Sequence, residues 1–156
     1  MRFSYALGLP RQLVLSVTAV SAVEIPVAHL LLARWNGTVA LAITALSIAF
    51  IAWVLVDWAA AVRRPVTLDA TTLTLRRGLR APVDVPVDRI VSVRSVASND
   101  GLPKAALHTV YAGEAALVVE LDDGTAHAVA VDDPSSLLRA LEAVIGPARA
   151  GLESQA

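Results

Sequence analysis

Two long stretches of this chain carry almost no polar side chains. The first runs from Leu13 to Ala33 and the second from Thr38 to Val62, and between Leu13 and Val62 the only formally charged residues are Glu24, Arg34 and Asp57. Each stretch meets the requirement of about 20 apolar residues for a helix that crosses a hydrocarbon core roughly 30 Å thick. Arg34-Trp35-Asn36-Gly37 between them is a tight polar turn. The pattern therefore predicts a hairpin of two antiparallel transmembrane helices, at about 13–33 and 38–62, within a unit spanning 1–64. Val20-Ser21-Ala22 resembles a signal-peptidase site, but apolar sequence continues to Ala33, beyond the 7–15-residue core of a signal peptide.

After Arg63-Arg64-Pro65 the period changes to short alternating segments separated by turn residues. Strands are predicted at Val66 to Leu68, Thr72 to Arg77, Val83 to Val87, Ile90 to Val96, Val110-Tyr111, Ala115 to Leu121 and Thr125 to Val131. Asp-Gly in Asp122-Asp123-Gly124 marks the clearest hairpin. Ala97 to His108 is polar, contains Gly101 and Pro103, and reads as a long loop. Asp133 and Pro134 open a helix as cap and first residue, Leu137, Leu138, Leu141 and Val144 form its apolar stripe, and Gly146-Pro147 ends it. The fold class expected is a membrane α-helical hairpin followed by a small α+β domain at 65–147, mostly antiparallel β with a C-terminal helix. Residues 148–156 are expected to be a flexible tail.

Composition sharpens this division. Hydrophobic residues make up 56% of the 156 residues, above the roughly 45–50% of soluble domains, and the excess lies before Arg63. The net charge of −1 offers no basic field for nucleic acid. The absence of cysteine removes disulfides, thiolate chemistry and cysteine-ligated metals. The three histidines, His29, His108 and His127, have no ligand spacing, and His127 is expected to face solvent. Phosphate-binding, hydrolase and metalloprotease motifs are missing. No cofactor and no catalytic residue are expected, and the chain reads as a non-enzymatic protein. Asp122-Asp123 and Asp132-Asp133 sit where turns and helix caps favour aspartate.

Charge placement also predicts orientation. Arg2 and Arg11 precede the first helix and Arg63 and Arg64 follow the second, whereas the turn carries Arg34. Positive-inside bias then puts both termini in the cytoplasm, with the hairpin in the inner or plasma membrane. Inside the hairpin, Glu24 is costly at mid-bilayer, at least ~2.5–3.5 kcal/mol on insertion scales. Pro26 favours a local kink, and Thr44 and Ser47 lie at the depth of Glu24, where their hydroxyls would satisfy a protonated carboxyl. His29 suits the outer interface. Asp57, near the inner end, is expected to pair with Arg11 or with Arg63 and Arg64. Ala45 and Ala49 form a small-xxx-small step for close helix packing. Arg63, Arg64, Arg76, Arg77 and Arg80 are expected to gather at the inner leaflet and attract anionic headgroups. Lys104, His108 and Tyr111, in or beside the long loop, are the candidate binding residues.

Three segments carry a resemblance: Leu73-Thr74-Leu75-Arg76-Arg77-Gly78, Val85-Pro86-Val87-Asp88-Arg89-Ile90, and the junction Val129-Ala130-Val131-Asp132-Asp133-Pro134. Together with the paired helices ahead of them, they make residues from about Val66 to Ile145 resemble the bacterial pleckstrin-homology-like (PH-like) domains of small membrane proteins. The resemblance implies a domain that binds lipids, peptides or proteins and implies no catalysis. The partners expected are the lipid bilayer and a protein partner or further copies of the chain. The alternative expectation is an oligomeric transport or proton-responsive element built around Glu24.

Overall fold

A computed structural model describes residues 1–153, with side chains through residue 146. Two long apolar helices are followed by antiparallel sheets and a C-terminal helix. Helix α1 spans Leu9–Trp35 and α2 spans Gly37–Arg63, each 27 residues. Both start and end beyond the predicted apolar runs, because the polar residues at each end continue the same helical turns. A single residue, Asn36, joins them. Its backbone N–H closes α1 onto Leu32 O at 2.8 Å, and its side chain caps α2 by accepting from Thr38 N and Val39 N at 3.0 and 3.2 Å. One residue thus serves as C-cap and N-cap, and it forces the helices to run side by side. Both helices are long and apolar enough to cross a membrane, and in each most apolar window only 6% of residues are buried. Most of their surface therefore touches no other part of the protein, unlike the core helix of a soluble domain.

The sheet domain begins before the hairpin, which the sequence pattern did not disclose. Arg2–Phe3 forms β1 and pairs antiparallel with β2, Val66–Leu68, in the register Arg2↔Thr67 and Phe3↔Val66. Strands β3 (Thr72–Leu75) and β4 (Val83–Pro86) extend this sheet in the order β1-β2-β3-β4. A second sheet holds β5 (Ile90–Ser95), β6 (Leu117–Leu121) and β7 (Ala126–Val129) in that order. The hairpin is consequently an insertion between two paired strands. Residues 1–8 belong to the sheet domain, and the division at residue 64 places them on the wrong side.

Alternation decides what each strand buries. Leu117, Val119 and Leu121 of β6 face a core shared with Leu73, Leu75 and Val85 of the first sheet and with Leu137 and Leu141 of α3, Pro134–Glu153. Val118 and Ala128 face the other way and are covered by Ala106, Val110 and Ala115. The segment expected to be a polar loop thus closes one face of the second sheet. Val110-Tyr111 is not a strand; a 3-10 turn at Ala106–Thr109 precedes it. Helix α3 does not end at Gly146-Pro147. Pro147 has no N–H for the carbonyl of Ala143, yet the helix carries past that lost bond to Glu153. Residues 148–153, assigned to a flexible tail, therefore continue the helix, and 154–156 lie outside the described residues.

Asp133 caps α3 as expected, accepting from Ser136 N at 3.1 Å. The Ser136 and Ser135 side chains hold its carboxyl down to a pKa of about 2. Asp132 has another task. Its two carboxylate oxygens accept from Leu7 N and Gly8 N at 3.1 and 2.9 Å, tying the start of α1 to the end of β7. Asp122 and Asp123 flank their turn and both bind Arg89, at 2.9 and 2.7 Å.

Candidate functional site

Residues Arg76-Arg77-Gly78-Leu79-Arg80 follow β3 and turn the chain towards β4. The turn is closed by Arg80 N donating to Arg77 O at 3.0 Å, and Gly78 adopts φ +54°, a conformation that other residues enter at a cost. Its backbone is pinned from two sides. Gly78 N donates to the Tyr5 hydroxyl at 3.0 Å, and Leu79 N donates to Asp57 Oδ1 at 2.8 Å. Tyr5 packs edge-on against Tyr111, with ring centroids 5.6 Å apart at 72°. Trp58 of α2 donates from Nε1 to Ala6 O at 3.0 Å. The base of the hairpin, the N-terminal arm, the β3–β4 turn and the segment before β6 therefore meet at one place.

Burial first, and then the neighbouring Asp57 carboxylate, raises the pKa of the Tyr111 hydroxyl. Burial also raises that of Tyr5, opposed by the Gly78 N–H that its oxygen accepts. Both phenols are thereby held protonated across the physiological range. Arg77 is half-buried and donates from Nη1 to His108 O at 2.8 Å. Burial lowers its pKa, and the neighbouring charge of Arg80 adds to the effect. Between these groups lies a crevice of about 370 Å³. Pro10, Leu13 and Trp53 form its apolar wall, and Arg77, Arg80 and Tyr111 its polar wall.

Several expectations change here. Asp57 pairs with none of Arg11, Arg63 and Arg64; it accepts the Leu79 backbone N–H, because the turn brings an amide to it. Arg63 and Arg64 are exposed at the end of α2, Arg76 joins Arg64 within electrostatic range of Tyr5, and Arg77 and Arg80 adjoin the crevice. None of the five forms an ion pair among the described residues. Of the three loop candidates only Tyr111 joins the site. His108 contributes its backbone carbonyl, and Lys104 is exposed. His127 is half-buried instead of facing solvent, opposite Val119 in the sheet. Among the described residues its buried Nδ1 has no hydrogen-bond partner, and burial lowers its pKa. Tyr5, Trp58 and Gly78 were not among the expected site residues. Gly78 inside Arg-Arg-Gly-Leu-Arg was the one available signal.

A second cavity, about 520 Å³, opens along the middle of the hairpin, lined by Glu24, Thr44, Ser47 and Phe50. Glu24 shares this groove with Thr44 and Ser47 as their depth implied, but their hydroxyls do not serve it. Thr44 Oγ1 meets His29 Nδ1 at 2.8 Å across the hairpin, and Ser47 Oγ donates to Ile43 O at 2.9 Å within its own helix. His29 is therefore an interhelical partner. The exposed Glu24 makes no hydrogen bond among the described residues. Helix α1 runs through Pro26 as one element. No group of histidine, aspartate and glutamate suited to a metal ion occurs among the described residues. No protein-family model, curated protein or solved structure matches the chain.

Proposed function

We propose that the chain is an integral protein of the cell membrane, with its hairpin in the bilayer, both termini in the cytoplasm and a PH-like domain presented at the inner surface as a non-enzymatic binding or scaffold module. The observation that carries this reading is the splice between β1 and β2. Paired strands hold both ends of an apolar hairpin, so the sheet domain is fixed at a set height and tilt, as a docking platform requires. Twenty-seven residues at 1.5 Å each give helices of about 40 Å, more than the roughly 30 Å of hydrocarbon. Arg2, Arg11, Arg63 and Arg64 sit at the domain end and Arg34 at the other, the distribution that favours a cytoplasmic domain. Two antiparallel sheets closed by a C-terminal helix support the PH-like reading. Near an anionic leaflet each of the clustered arginines contributes ~1 kcal/mol of attraction.

The full chain is expected to stay with membranes through a carbonate wash, and a reporter fused after Ala156 to be active only in the cytoplasm. Release by carbonate, or a reporter active outside, overturns the placement. The scaffold reading further expects either a reproducible partner or a defined oligomer after detergent extraction; a lone, partnerless monomer counts against it.

Glu24 favours a second reading, an oligomeric transport or proton-responsive element. A carboxyl exposed at mid-helix without an intramolecular partner is stabilised by a neighbouring chain that supplies a donor. Glu24→Gln is then expected to alter oligomer distribution in micelles or proton flux in vesicles. If both stay unchanged, the second reading loses its motive.

A further inference from the structure

We propose that the crevice at the hairpin base is a specific site for one anionic phospholipid, with the phosphate between Arg77 and Arg80 and an acyl chain lying along Leu13 and Trp53. The proposal rests on the membrane placement argued above and adds a ligand to it.

Depth is the first argument. Counting from Asn36 at 1.5 Å per residue puts Asp57 about 32 Å away along α2, at the opposite edge of a hydrocarbon core of roughly 30 Å. The β3–β4 turn is bonded to Asp57 through Leu79 N, so Arg77 and Arg80 lie where headgroup phosphates lie. Leu79 is 45% exposed between the two arginines, and Trp53 is 58% exposed on the wall below. An apolar side chain flanked by two cations at this height faces the boundary between acyl chains and headgroups.

The second argument is unspent charge. Asp57 is the one acid lining the crevice; its Oδ1 already accepts from Leu79 N, and its single charge faces two arginines, leaving the crevice net positive. Arg77 uses one donor on His108 O, and Arg80 has no side-chain hydrogen bond or ion pair among the described residues. Two adjacent guanidiniums with free N–H groups match the oxygens of a phosphate, which accept from both at once. The Tyr111 hydroxyl and the apolar wall distinguish the two ends of the ligand. A soluble phosphate would leave Pro10, Leu13 and Trp53 without a partner, and phosphatidylcholine would bring its trimethylammonium cation beside the two guanidiniums, offsetting the attraction of its phosphate.

Full-length protein in micelles, titrated with phosphatidylglycerol, phosphatidylcholine or glycerol phosphate and read by native mass spectrometry, tests the assignment. One phosphatidylglycerol per chain is expected, at least tenfold tighter than either other probe. Arg80→Gln, which breaks no bond within the protein, is expected to weaken it at least threefold, and Arg77→Gln/Arg80→Gln at least tenfold. Arg63→Gln/Arg64→Gln removes the same charge outside the crevice and is expected to change it less than twofold. Equal loss in both double variants means general surface attraction and overturns the site. Equal binding of phosphatidylcholine overturns the anionic specificity, and equal binding of glycerol phosphate the lipid assignment. A chain that stays in carbonate-washed membranes yet fails these tests refutes this site alone, whereas one that washes off refutes the membrane reading beneath it.

Discussion

Replacing Tyr5 with alanine is expected to lower the stability of the sheet domain by about 3–5 kcal/mol, the range for deleting a large buried aromatic. Tyr5 is 3% exposed although it lies five residues from the chain start. Its ring meets Tyr111 edge-on, a contact worth about 0.5–1.5 kcal/mol beyond burial. Its hydroxyl accepts the buried Gly78 N–H, and an amide left without a partner costs about 1–3 kcal/mol. These contributions overlap, so they do not sum. Against a net stability of about 5–15 kcal/mol for a domain, the loss is severe. Urea unfolding of the full chain in micelles measures it. Trp58 is the reporter, because its indole donates to Ala6 O beside Tyr5 and senses release of the arm. Tyr5→Phe keeps the ring and removes the acceptor, and is expected to cost about 1–3 kcal/mol. A Tyr5→Ala transition within 1 kcal/mol of the parent, a loss well below the range for a buried aromatic, would show that the N-terminal arm is not part of the core.

That arm also marks the limit of what sequence disclosed. The hairpin was legible because each helix is an uninterrupted apolar run of the length that a membrane-crossing helix needs, and a run of that length leaves a clear trace. The strands were legible where one face is buried, as in β6, since alternation then survives in the residues. Arg2 and Phe3 form too short a segment to show alternation, and their partners lie beyond the whole hairpin, at Thr67 and Val66. The 97–116 segment failed for a related reason. Ala106 and Ala115 are buried there, and small residues among polar ones carry little hydrophobic signal. At Gly146-Pro147 a local breaker was given more weight than it had, since a proline removes one bond and the rest of α3 does not depend on it.

The site was legible in its charges and opaque in its contacts. Arg77, Arg80, Asp57 and Tyr111 were all singled out, yet Asp57 was matched with arginines because sequence shows side-chain charge and hides backbone amides. Its acceptance of Leu79 N depends on where a turn points. For Glu24 the error ran the other way. Thr44 and Ser47 line the same groove as Glu24, but their hydroxyls are engaged elsewhere, Thr44 with His29 and Ser47 with Ile43 O.

Gly78→Ala is expected to destabilise the domain by about 3 kcal/mol or more, through two separable causes. Positive φ costs an alanine about 1–2 kcal/mol. The new Cβ would also overlap Asp57 Oδ1 and stand 2.7 Å from its Cγ and Oδ2. Asp57 cannot simply yield, because Leu79 N holds Oδ1 at 2.8 Å, and losing a bond to a charged acceptor costs about 1.5–3 kcal/mol. A double-mutant cycle separates the causes. With Asp57→Ala in place the overlapped atoms are gone, so adding Gly78→Ala should cost only the backbone share, about 1–2 kcal/mol. Chemical unfolding of the four proteins in micelles reads the cycle. An equal cost on both backgrounds would mean that the carboxylate is not packed against the turn. The rigid link between α2 and the β3–β4 turn would then be lost, and with it the reason for placing Arg77 and Arg80 at the depth of Asp57.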